Sequence, residues 1–336
     1  MGVTIIIILH NRHKNIARLI EYYKDVNFSI ILADSSAQKH PSELPGSWKH
    51  IYTPGINYTQ KLEKVLQEVE TKYVILCADD DFIIPAAIEK CRHFLDSNPS
   101  YAVVQGNCVC FKKEELLSKK DINFYPIYDY LDYAYEEEAP LLRLDSLLSN
   151  YKSLLYAMHR TDLLKNAYTG ASDHITNLYL NEYNASILPV IKGRYKELDC
   201  LYQVREYATD SDDKTAVNIN TIVKNTAFSK DLDAFLLYIS HKIKEQLPEE
   251  SREKLKERLL SGLQKLAESI DRRASAKPTL KKRVGNIISG IPLLGSELIK
   301  ANRRAELNNQ LNRIVKTKED QLELSRVQSI LQKYRY

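Results

Sequence analysis

The first 111 residues alternate short apolar runs with amphipathic stretches, and this rhythm constrains the fold more than any other feature of the chain. Residues 3 to 9 are an unbroken apolar run, far too short to span a bilayer, and read as a buried strand. Ile16, Leu19, Ile20 and Tyr23 follow at helical spacing; residues 28 to 33 form a second apolar run, and a third short one lies at 50 to 53 after a loop holding Pro41, Pro45 and Gly46. A helix through Leu62, Val65, Leu66 and Val69 precedes the run at 73 to 78. A helix with Ile88, Cys91 and Leu95 and a strand from 101 to 111 complete the series. Strands joined by crossover helices predict an α/β fold, a mostly parallel, Rossmann-like sheet with helices on both faces. Ligands of such sheets bind beyond the carboxyl ends of the strands, where Asn11, Asp34 and Asp79 to Asp81 fall.

Residues 112 to 150 are less regular and rich in tyrosine and acid, as expected of an insertion lining the crevice. A segment from 152 to 158 leads into His159-Arg160, with either a structural place or one facing donor or acceptor open to the histidine. A helix is predicted from about 173 to 191, stopping at Gly193, and two short strands at 196–198 and 201–204. After the polar linker 209–213 the character changes. Residues 216 to 336 hold 24 Lys and Arg against 14 Asp and Glu, so that the net charge of +4 conceals an acidic first part and a basic second one. The expected organisation is a sheet domain over 1–213 followed by a basic, all-α region over 217–336.

Composition removes several classes. Glycine is scarce, at 10 residues, and neither a dinucleotide fingerprint nor a Walker loop is present, so phosphates must be held by other means. Five cysteines without metal-type spacing, and no export signal, predict buried thiols in a reducing compartment, with the cytoplasm as the expected location.

Three adjacent aspartates, Asp79-Asp80-Asp81, stand where the 73–78 strand would emerge into the crevice. Adjacent anions repel and call for a cation, and Mg²⁺ or Mn²⁺ carrying a nucleoside diphosphate would suit hard oxygen ligands; capping of the helix at Pro85 by Asp81 is the structural alternative. On an extended chain Asp79 and Asp81 would share one side and one ion while Asp80 points elsewhere, toward ribose hydroxyls for instance.

Taken together, the first ~210 residues resemble the GT-A glycosyltransferases, in particular those of family 2. Residues 3 to 12, ending Asn11-Arg12, resemble the opening strand and its N-R pair; residues 30 to 36 resemble the second strand, whose aspartate, here Asp34, touches the nucleotide base; Asn57 opens a helix as the family's asparagine does; Asp79-Asp80-Asp81 resembles the D-x-D. The resemblance implies donor contacts from Asn11, Arg12, Asp34, Asn57, Asp79 and Asp80, a metal on Asp79 and Asp81, and Arg205 approaching the diphosphate. It also implies a catalytic acid eleven residues before the helix-ending glycine, which selects Glu182, with Asp173 as second choice. The usual E-D pair is replaced by Glu182-Tyr183, and the histidine that often completes the metal site is missing from residues 206 to 209.

The basic tail contains an apolar stretch from 284 to 299 flanked by Lys281, Lys282, Arg283, Lys300, Arg303 and Arg304. It is too short and polar for a span, and suits either an anionic membrane surface at the inner face or burial in a helical homo-oligomer; nucleic acid is not an expected partner. The function expected is metal-dependent, inverting sugar transfer from a nucleotide-sugar donor, a UDP-sugar foremost, to a glycan, lipid-linked or protein acceptor. The alternatives are a non-catalytic transferase-like scaffold and a sugar nucleotidyltransferase, although the glycine-rich loop of the latter is missing after the first strand.

Overall fold

In the computed structural model the described residues are 2–41, 43–118, 122–127, 133–207, 217–275 and 308–335. Strands β1 (Val3–Leu9), β2 (Ser29–Asp34), β3 (Trp48–Tyr52) and β4 (Tyr73–Ala78) alternate with helices α1 (Ile16–Tyr23) and α2 (Tyr58–Gln67). Next come β5 (Phe82–Ile83), α3 (Pro85–Ser97), β6 (Tyr101–Lys112), α4 (Lys113–Leu117), β7 (Tyr125–Pro126), β8 (Ala134–Tyr135), α5 (Pro140–Ser149), β9 (Met158–Arg160), α6 (Thr161–Tyr168), α7 (Leu178–Lys192) and β10 (Arg194–Tyr207). The remaining helices are α8 (Ile219–Lys224), α9 (Ser229–Gln246), α10 (Arg252–Ser275), α11 at 308–314 and α12 (Lys318–Lys333).

One sheet runs in the order β3-β2-β1-β4-β9-β6-β10-β5, with β7 on β6 and β8 on β10. The four strands β3 to β4 are parallel, as are β6 and β10, while β9 is antiparallel to both its neighbours and β5 to β10. Side chains alternate across the pleat. Ile6, Ile31, Val74 and Leu76 join the core beneath α2, α5, α6 and α7, whereas Ile5, Ile7, Leu32, Ile75 and Cys77 join that beneath α1 and α3.

Several expectations change here. The 112–150 stretch, read as less regular, includes α4 and α5 in its described part, and Arg143 of α5 ties itself to the carbonyls of Glu137, Glu138, Val190 and Ile191. The two short strands expected near 196–204 are one strand of 14 residues with register shifts against β6. The helices beyond residue 216 pack onto both faces of the sheet domain. Leu255, Leu259 and Leu263 of α10 and Phe235 of α9 share a core with α2 and α7, while α12 covers α1 on the opposite face. Both faces of the sheet therefore draw apolar cover from beyond residue 216. The apolar stretch 284–299 and the linker 209–213 lie outside the described residues, and no helix among the described residues is long and apolar enough to cross a membrane.

Candidate active site

The carboxyl ends of β1, β2, β4 and β10 converge on one crevice, and the aspartate triplet occupies its floor. Asp79 and Asp80 form a turn closed by the Asp81 N–H donating to the Ala78 carbonyl at 3.2 Å. The extended alternation expected of the triplet is thus replaced by a bend, in which Asp79 and Asp81 bond to different partners. Asp81 does not cap α3 either: the N-cap there is Ile84, without a side-chain bond, and Pro85 occupies the first turn.

Arginines pair with all three aspartates of the triplet. Arg12 bonds Asp79 through Nη2 and through Nε at 3.2 Å, and Asp80 through Nη1 at 2.6 Å. Asn15 Nδ2 also donates to Asp79. Asp81 accepts from Gln203 Nε2 at 3.0 Å, Arg205 Nε at 3.2 Å and the Glu206 N–H at 3.1 Å. Burial, with repulsion from Asp80, holds Asp79 and Asp81 above the ordinary carboxylate range against the pull of Arg12 and Arg205. Glu206 pairs with Arg18, both of whose terminal nitrogens lie 3.0 Å from Glu206 Oε2, with both side chains buried. Three arginines therefore face four carboxylates.

Among the described residues no group of three or more His, Cys, Asp or Glu is arranged to hold a metal. A divalent ion still fits the donor chemistry, because such ions need only one or two protein carboxylates when diphosphate and water supply the rest. Arg12 and Arg205 have side chains 30% and 34% exposed, whereas Arg18 is at 2%. The first two can leave their aspartates for a phosphate; the third is fixed.

The other expected donor contacts hold the crevice wall. Asn11, at φ 55°, accepts the Ala37 N–H on its side-chain oxygen and donates its own N–H to Ser36 Oγ, pinning the loop after β1 to the loop after β2. Asp34 is wholly buried and accepts from the N–H groups of Ser36 and His40 and from His50; burial raises its pKa, but these bonds win and leave it below the ordinary range. Both its oxygens are engaged in holding that loop. Asn57 caps α2 in a reciprocal capping box with Gln60.

Lys61, absent from the expectations, lies beneath this wall. Its ammonium donates to the Leu9 carbonyl at 3.0 Å and Ser35 Oγ at 2.9 Å, and burial pushes its pKa down to about 8 against the charges of Asp79 and Asp34. A lysine placed among Leu62, Val65 and Leu66 on an amphipathic helix reads as solvated; only the tertiary fold reveals it as a buried cation.

Glu182, on α7, faces the same crevice. Tyr151 Oη donates to its Oε1 at 2.9 Å, and burial raises its pKa against that bond and the positive charge of Arg205. Arg205 itself stands 5.1 Å over the Tyr156 ring. Asp173 is not brought to this group: it is exposed in a 3-10 turn before α7, and Asn177 caps the helix. His159 is structural as well. It is fully buried in β9, and Nε2 donates to the Leu154 carbonyl at 2.7 Å.

An α/β sheet with a carboxylate-rich crevice, guanidinium groups at its floor and a half-buried glutamate nearby has the architecture of a GT-A glycosyltransferase. Residues 4–148 match the family described as Glycosyl transferase family 2, and the N-terminal part of this enzyme is a glycosyltransferase domain similar to that family. Two crystal structures of S. aureus TarS 1-349 share the fold: one alone, at TM-score 0.51, and one in complex with UDP-GlcNAc, at 0.53. Each is 14% identical, with all of this chain covering 91% and 92% of the other. No curated protein matches the chain.

Proposed function

We propose that this glycosyltransferase carries a sugar from a uridine diphosphate donor to a hydroxyl of a glycan, a lipid-linked saccharide or a protein, with inversion at the anomeric carbon and with a divalent ion. The observation that carries this reading is the convergence of Arg12, Arg205 and the aspartate triplet on the floor of the crevice that Glu182 faces.

The diphosphate gains negative charge as the sugar bond breaks, and guanidinium groups already turned toward that floor stabilise it without reorganisation. Asp80, with Asp79 or Asp81 as Arg12 or Arg205 releases them, would hold Mn²⁺ or Mg²⁺. That ion would act as a Lewis acid on the leaving phosphate. Glu182 takes the proton of the acceptor hydroxyl, and its raised pKa brings it toward the basicity that this task requires. Inversion follows when acceptor and base stand on the side of the sugar away from the diphosphate. The uridine assignment draws on the fold shared with a protein crystallised with UDP-GlcNAc. A cytoplasmic site at the inner membrane face, reached through the basic stretch 284–299, and assembly through the C-terminal helices are further parts of this reading; both suit apolar residues flanked by cations.

A thermal-shift panel of nucleoside diphosphates and nucleotide sugars, with and without Mn²⁺, tests it. The reading expects a uridine nucleotide to raise the melting temperature more with Mn²⁺ than without. A flat panel would overturn it.

A further inference from the structure

Tyr151 belongs to no strand or helix, yet three contacts fix its side chain. Its ring stacks on Tyr183 of α7, with centroids 4.6 Å apart and planes at 27°. Its hydroxyl lies 2.9 Å from Glu182 Oε1 and 3.3 Å from Ser186 Oγ. Ser186 donates to the Glu182 carbonyl at 2.8 Å and accepts the Leu154 N–H at 3.1 Å, so the segment after Tyr151 is pinned to the same turn of α7. Ring, hydroxyl and backbone thus form three anchors around one carboxylate.

We propose that Tyr151 is a positioning residue for sugar transfer: by donating to Oε1 it fixes the rotamer of Glu182 and orients the carboxylate toward the acceptor hydroxyl. The assignment rests on the reading of Glu182 as general base. A glutamate has three rotatable side-chain bonds, and a base that wanders from its proton loses the advantage of placement. The bond also stabilises the carboxylate form. The other groups facing Glu182 are Arg205 from β10, Ser153 from the same loop, Tyr58 from α2 and Tyr183 from its own helix. Of these only Arg205 carries positive charge, and it is shared with Asp81. Tyr151 and Ser153 are therefore the neutral donors to the carboxylate, and of the two Tyr151 is the one whose ring is also stacked on α7.

Tyr151→Phe keeps the ring on Tyr183 and removes only the donor. The full chain, labelled with ¹³C at glutamate Cδ, is titrated by NMR, with the Glu182 signal identified by its loss in Glu182→Gln. The same proteins are assayed for UDP release from UDP-GlcNAc and UDP-glucose with Mn²⁺, water serving as acceptor. The expected result is a Glu182 midpoint higher by about half a pH unit or more in Tyr151→Phe. The acid limb of the release profile moves by the same amount, and the KM for donor stays unchanged. An unmoved midpoint overturns the positioning role, whatever the change in rate. If Tyr151→Phe melts more than a few degrees early, Ser186→Ala is titrated instead, with a smaller shift of the same sign expected and no shift counting against the role. Glu182→Gln separates the two readings. Wild-type release in that variant overturns the base itself, and the positioning role with it; a dead Glu182→Gln beside an unshifted Tyr151→Phe overturns positioning alone.

Discussion

Arg12 Nη1 stands 2.6 Å from Asp80 Oδ2, and the same guanidinium grips Asp79, so a cation from the loop after β1 occupies the ground that a metal-bound donor would claim. Arg12→Ala should therefore bare two carboxylates. Without nucleotide, Mn²⁺ should raise the melting temperature of this variant more than that of the parent. Uridine diphosphate affinity should fall about tenfold or more, because one phosphate partner is gone. Calorimetry with Mn²⁺ alone and then with the nucleotide reads the two effects apart.

Arg18 and Glu206 form a different kind of pair, buried on both sides and 188 residues apart. Removing one partner strands the other charge, at a cost of about 3–5 kcal/mol. Glu206→Ala should shift the urea midpoint well below that of Arg12→Ala, whose partly exposed side chain can reach water. Equal midpoints for the two variants would contradict the distinction.

The buried imidazole of His159 makes stability depend on pH. Burial pushes its pKa down to about 4, while the unfolded chain takes up the proton near the ordinary 6.5. Between those values the unfolded state binds more protons, so the contribution is complete above about pH 6.5 and is lost as pH falls toward 4. The full effect is about 3 kcal/mol. Chemical denaturation of the parent and of His159→Phe at pH 7 and pH 5 should show a smaller pH difference in the variant.

Gly106 faces β10 so closely that an added Cβ would lie 2.5 Å from the Cys200 carbonyl oxygen and 2.8 Å from its sulfur. Backbone must move to admit it. Gly106→Ala should cost about 1–3 kcal/mol and, by displacing the strand that carries Gln203 and Arg205, weaken uridine diphosphate binding as well. Denaturation and calorimetry on one preparation would show both losses together.

The parallel strands β1, β2 and β4 were legible because each is an apolar run bounded by turn residues, and the helices between them because their apolar positions recur at helical spacing. β9 was not: three residues, Met158-His159-Arg160, carry no periodicity, and their place between β4 and β6 depends on pairings across more than 50 residues. The helix through Glu182 was readable from its stop at Gly193, but its start was placed five residues early, since Asn177 outcompetes Asp173 as cap. Of the site, the residue types were visible and the partnerships were not. A sequence shows Asp81, Arg205 and Glu206 but not that Glu206 turns to Arg18, because the choice is made by burial, which strips water from Arg18, Glu206 and Asp81 together.

The final helix returns to the beginning of the molecule. Tyr22 Oη donates to Glu323, Arg326 donates to the Tyr22 carbonyl, and Lys333 reaches Glu21. Arg18 sits one turn earlier on that same first helix and holds Glu206, whose N–H bonds Asp81. Clipping the chain at residue 317 would thus do more than shorten a tail. It would wet the underside of the helix that anchors Glu206, and an enzyme trimmed far from its chemistry would grip its donor less firmly.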